Sequence, residues 1–180
     1  MKKWITTKNI TTCSLLSAVM FVMGAAISTI ASMTGKSIIQ FSDIIFLIML
    51  GKTNLFTLIL SAIIAGSMID LYAGGAIFIP ITILVKILIG LTYLLLRKKV
   101  NIHIIFIISY LWIFIYNLYT YILWDASTLI VESIVNLIQY SVTVVFSIAI
   151  VFVSNFKLQN NILKNDYNDT VEVTINNKNN

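Results

Sequence analysis

With 180 residues, 59% of them apolar and only 11% charged, the chain is long enough for one domain but poor in charge; a water-facing surface takes about a quarter of all residues as charged ones. A domain of this size leaves most residues partly exposed, so lipid must cover the apolar excess. The net charge of +5 does not point to nucleic acid, because the basic residues stand in short clusters between apolar runs and form no stripe.

Lys2, Lys3 and Lys8 lead into the first apolar run, Thr11 to Ile30. The arrangement imitates a secretory leader, but no small-x-small cleavage site with a soluble domain behind it follows, and the run reads as a first membrane span. It contains the single cysteine, Cys13, which excludes an intramolecular disulfide and a cysteine metal site. Ser14 and Ala18 put small residues four apart, a spacing that lets helices approach closely. After an external loop from Ala31 to Ile38, the run Ile38 to Leu50 is about thirteen residues long and carries Gln40, Ser42 and Asp43. By length alone it suits a re-entrant or half-buried helix.

Phe56 to Tyr72 is a third candidate, with a second small pair at Ala62 and Gly66. Gly74, Gly75 and Pro80 mark a turn and an irregular start to the fourth, Ala76 to Leu96. The basic cluster Arg97, Lys98, Lys99 follows, then a fifth run from Ile102 to Trp124 and a sixth from Ile134 to Val153. His103 at the start of the fifth reads as an interfacial residue. Charge decides whether the short second run crosses. Basic clusters collect on the inner side of a membrane, and those before the first span and after the fourth share a side only if an even number of crossings separates them. The expectation is therefore an all-α bundle of six membrane helices over residues 1–154, both termini cytoplasmic. The Asn-rich tail of residues 155–180 is too polar to fold alone and is expected to be flexible.

Several residues do not belong in lipid. Lys86 falls near the middle of the fourth span, where an ionisable group costs about 2.5 to 3.5 kcal/mol. It either meets a polar ligand or pairs with Asp43, Asp70 or Glu132. Glu132, Asn136, Gln139 and Tyr140 open the sixth span largely on one helical face, as interhelical glue or as cavity lining. The fifth span carries Tyr110, Trp112, Tyr116, Asn117, Tyr119, Tyr121 and Trp124. The last three suit an interfacial aromatic belt, whereas Trp112, Tyr116 and Asn117 lie deeper and could stack on and orient a flat heterocycle. Phosphate-binding loops, nucleophile elbows, metalloprotease helices and magnesium-binding acidic clusters are absent from the sequence, so nothing in it reads as an enzyme and no cofactor is expected.

From Asp70 the residues Gly75, Pro80, Thr82, Lys86 and Gly90 follow the pattern D-x4-G-x4-P-x-T-x3-K-x3-G, with Asp43 upstream and Asn136 and Gln139 as N-x-x-Q downstream. In these features the chain resembles the substrate-binding S components of energy-coupling factor (ECF) vitamin transporters, of the riboflavin type. The resemblance implies a cell-membrane subunit that binds a vitamin-like molecule from outside, without ATP chemistry of its own. It implies three partners, a transmembrane coupling subunit and two cytoplasmic ATPases, with docking at Ser14 and Ala18, where serine replaces the family's usual first alanine. Candidate binding residues are Asp43, Lys86, Trp112, Tyr116, Asn117, Glu132, Asn136 and Gln139. A membrane scaffold or assembly factor, its polar groups serving only to join helices, is the competing expectation. The abundance of Ile, Asn and Lys suggests an AT-rich bacterial genome.

Overall fold

A computed structural model describes the backbone of residues 6–32, 40–124 and 126–178 and the side chains of residues 6–29, 40–124 and 128–154. Among these residues every regular element is helical: α1 (Thr7–Ser32), α2 (Ser42–Met49), α3 (Leu55–Tyr72), α4 (Ile79–Leu96), α5 (Ile102–Tyr110), α6 (Ile115–Leu123) and α7 (Ala126–Lys178). Lys2, Lys3, Lys36, the start of the predicted second span and the side chains of the predicted tail lie outside the described residues.

Five stretches are long and apolar enough to cross a membrane: Thr7–Thr29, Leu55–Tyr72, Ala76–Leu96, Ile102–Leu123 and Thr128–Ser154. They match five of the six predicted runs, and the chain is a multi-pass membrane protein. Its outer face bears large apolar side chains such as Leu15, Val22, Leu95, Ile122 and Phe152, all more than half exposed, a surface that only lipid tolerates at this extent. The predicted second span is represented by α2, whose eight residues extend only about 12 Å at helical rise.

In lipid no hydrophobic drive brings helices together, so close packing and polar contacts must do it. α1 lies along α3, where Ser17 Oγ donates to the Ser61 carbonyl at 3.2 Å and Ser61 Oγ donates to the Cys13 carbonyl at 3.2 Å. The inward face of α3 repeats at three and four residues through Leu58, Ala62, Ala65 and Ile69 to Asp70. Opposite it, α4 buries Thr82, Val85, Lys86 and Ile89 with the same period. Gly66 makes this approach possible, since a Cβ there would come within 2.7 Å of Thr82 Cγ2.

The turn between α3 and α4 follows from its sequence. Gly74 takes φ +76°, a left-handed conformation that favours glycine, and Gly75 N–H closes the helix end on the Asp70 carbonyl at 2.7 Å. One 3-10 turn, Ala76–Phe78, leads into α4, whose first turn holds Pro80, where the missing N–H would have had no helical partner. The fifth run departs from the continuous helix expected of it, because a 3-10 segment, Leu111–Phe114, joins α5 to α6. A 3-10 helix turns roughly 120° per residue against about 100° for an α-helix, so this segment brings Tyr110 and Tyr116 to within about 40° of one face instead of about 120° apart. α7 begins before the predicted Ile134, which sets Glu132 inside a helix.

Replacing Gly66 with leucine is expected to force α3 and α4 apart and lower stability by about 1 to 3 kcal/mol, read as a lower unfolding midpoint in detergent micelles. An unchanged midpoint would show that the two helices do not depend on this approach.

Candidate functional site

Two hydrogen-bonded branches run through the end of the bundle where α3 finishes and α4 begins. The first starts at Lys86 in α4, whose Nζ donates to Asp43 Oδ1 in an ion pair. Asp43 sits in the first turn of α2, and its other oxygen accepts from Tyr110 OH of α5 at 2.8 Å. Tyr110 OH in turn accepts from Gln139 Nε2 of α7 at 3.1 Å. Lys86 also stands 5.8 Å from the centre of the Phe46 ring, an added electrostatic attraction for the ammonium.

The second branch centres on Asp70 in the last turn of α3. Gln40 Nε2 donates to its Oδ1 at 2.9 Å and Thr82 Oγ1 to its Oδ2 at 2.5 Å. Thr82 Oγ1 also lies 2.7 Å from Tyr116 OH. A hydroxyl has one proton to give, so with the Thr82 proton directed at Asp70, Tyr116 is the donor in that contact. Lys86, Asp43 and Asp70 are each at most 3% exposed. Desolvation of that degree is tolerable for ions only with partners in contact.

The branches meet around a cavity lined by Gln40, Asp43, Asp70, Phe78, Ile113, Tyr116, Glu132, Asn136 and Gln139. Counted out to its open mouth, with open solvent included, the space measures about 460 Å³. Its enclosed part is narrower and has room for only a few water molecules. The aromatic side is continuous: Phe78 stacks on Trp124 with centroids 5.6 Å apart and tilts against Tyr116 at 6.4 Å.

Of the residues singled out in the sequence, Asp43, Tyr116, Glu132, Asn136 and Gln139 line this cavity. Asn117 stands beside it through a hydrogen bond from Asn136 Nδ2. Lys86 lies behind Asp43 and does not line it. Trp112 is turned away, 38% exposed, its Nε1 donating to Thr92 Oγ1 at 2.8 Å. Ser14 and Ala18 sit on the exposed face of α1. Sequence reasoning left Gln40, Asp70, Phe78, Thr82, Tyr110 and Ile113 out of the binding set. Asp70 and Thr82 carried a signal, as polar members of the spaced motif; Tyr110 was one aromatic among many. Among the described residues no group of three His, Cys, Asp or Glu side chains is arranged to hold a metal ion. No protein-family model, curated protein or solved structure matches the chain.

Lys86→Met leaves the Asp43 carboxylate buried without its cation and is expected to cost about 3 to 5 kcal/mol. Adding Asp43→Asn to that variant should restore part of the loss, measured as a double-mutant cycle on unfolding in micelles. Additive losses would mean that the two side chains are not coupled.

Proposed function

We propose that this chain is a solute-binding membrane subunit of an ECF-type importer, capturing a small vitamin-like molecule for uptake driven by partner subunits. The observation that carries the reading is the open cavity at one end of the bundle, to which α2, α3, α6 and α7 each bring a buried or half-buried polar side chain. Convergent polar groups in a concave, partly aromatic setting are what a small-molecule site requires. In this reading ATP hydrolysis belongs to the two cytoplasmic partners, and the exposed Ser14 and Ala18 on α1 offer a smooth strip for the coupling subunit. In this reading α2 belongs to a sixth crossing, so that both termini, Lys8 and the Arg97 to Lys99 cluster share the cytoplasmic side of the cell membrane.

A scaffold or assembly factor is favoured by a different observation: Lys86, Asp43, Tyr110 and Gln139 are joined to one another by hydrogen bonds across four helices, as helix-joining groups would be. The two readings separate on ligand binding. Purified protein screened against water-soluble vitamins and their precursors by thermal shift is expected to show a stabilising ligand, and Asn136→Ala or Gln139→Ala to weaken it by about 1 to 3 kcal/mol. No ligand, together with no copurifying coupling subunit, would decide for the scaffold.

The sixth crossing has its own test. Single cysteines at Lys52 and Lys99 in a Cys13→Ala background should resist an impermeant maleimide in whole cells and react after lysis. Labelling of the Lys99→Cys variant from outside intact cells would remove the sixth crossing.

A further inference from the structure

The charge and the hydrogen-bonding polarity of the cavity define the class of molecule it accepts. The central ionisable groups are two carboxylates, Asp43 and Asp70, and one ammonium, Lys86, all buried. Lys86 is paired with Asp43, so among the described residues the lining includes three carboxylates, Asp43, Asp70 and Glu132, and no cationic side chain. Among the described residues Asp70 receives hydrogen bonds only from neutral groups, Gln40 and Thr82, and Lys86 acts on it through space without touching it. It also sits in the last turn of α3, where the helix dipole adds negative potential.

The amides point the same way. Gln40 must direct its nitrogen at the Asp70 carboxylate, which can only accept. Gln139 must direct its nitrogen at Tyr110 OH, because that hydroxyl already donates to Asp43. Both assignments are therefore set by chemistry and not by convention. The oxygens of these two side chains, each at least nine-tenths buried, accept no hydrogen bond from any described residue, and both side chains line the cavity. Carboxylate and amide oxygens together make a surface that seeks N–H groups and positive charge. Phe78 and Tyr116 add ring faces suited to a flat cation.

We propose that this cavity binds a flat nitrogen heterocycle bearing a positive charge, the carboxylate of Asp70 supplying its counter-ion. The proposal rests on the solute-binding reading and narrows it to one ligand class. A ligand of this kind neutralises the excess buried carboxylate, which an anionic solute would aggravate.

The test uses three probes that share one ring and differ in charge: nicotinamide methylated on its ring nitrogen, nicotinamide and nicotinate. Each is titrated calorimetrically into the full chain in nanodiscs of neutral phosphatidylcholine, so that lipid charge contributes nothing. The methylated cation is expected to bind about tenfold or more tighter than the neutral ring, with nicotinate weakest. Asp70→Asn, which keeps shape and acceptor but removes charge, should bring the ratio of cation to neutral ring towards one. Failure of the cation to bind, or binding of the neutral or anionic ring at equal or greater affinity, overturns the proposal. In the second case, or if the vitamin screen yields a neutral or anionic ligand, the cavity remains a binding site and only its charge preference falls. Silence of all three probes and of the whole vitamin screen removes the binding reading as well. Should Asp70→Asn fail to fold, the order of the three probes on the unaltered chain still decides.

Discussion

A lysine ammonium cannot be left in the interior of a membrane bundle without a counter-ion, and the position of Lys86 therefore dictates where Asp43 must be. That requirement ties α2 to α4 through the Lys86 side chain, while the helix itself packs along α7, α1 and α3. α2 is too short to be anchored by its own apolar length, and nothing in lipid would press it into the bundle. Once Asp43 is held, its second oxygen brings in Tyr110 from α5, and Tyr110 brings in Gln139 from α7. Four helices are tied through one carboxylate. Thr82, one turn before Lys86 on the same face of α4, starts the second branch to Asp70, Gln40 and Tyr116, so α4 is common to both.

The apolar runs were legible because the period and length of a membrane span are written directly in composition, and five of them appear with ends close to those expected. The turn at Gly74, Gly75 and Pro80 was legible for a similarly local reason. What escaped was set by geometry between helices. The 3-10 segment Leu111–Phe114 contains neither glycine nor proline, and its effect, turning Tyr110 and Tyr116 to one face, becomes visible only when their partners on α2 and α4 are in place. Trp112 shows the same limit from the other side. Its residue type suited a ring-stacking role as well as that of Tyr116 did, yet the tightened turn carries it outward to Thr92. Lys86 was recognisable as a residue needing compensation, while the choice among Asp43, Asp70 and Glu132 depended on distances that no spacing encodes.

Polar contacts are distributed unevenly along the bundle. Between α1 and α3, hydroxyl groups reach across to backbone carbonyls, which ties the helices without any ionisable side chain. In α5 and α7, Ser109 and Ser147 are buried with hydroxyls that find no partner among the described residues. Their contribution is their small volume, which lets helices approach, and not a hydrogen bond. Specific pairing between α5 and α7 thus falls on Tyr110 with Gln139, and on Tyr140 OH, which donates to the Ile107 carbonyl at 3.0 Å.

The two branches divide the work that buried polar groups can do. On the Lys86 branch, charge meets opposite charge inside the protein, and the donors of Lys86 and Tyr110 are directed at Asp43, an arrangement that stabilises a single geometry. On the Asp70 branch, a carboxylate is satisfied by neutral donors while facing open space, and the Gln40 oxygen beside it accepts no hydrogen bond from any described residue. A network meant only to join helices would gain by closing that second branch with a cation, as it closes the first. Leaving it open costs stability unless something else enters. The asymmetry between Asp43 and Asp70, two buried aspartates on neighbouring helices with opposite solutions to the same electrostatic problem, separates a part of the network closed by an ion pair from a part that faces the cavity through neutral donors alone.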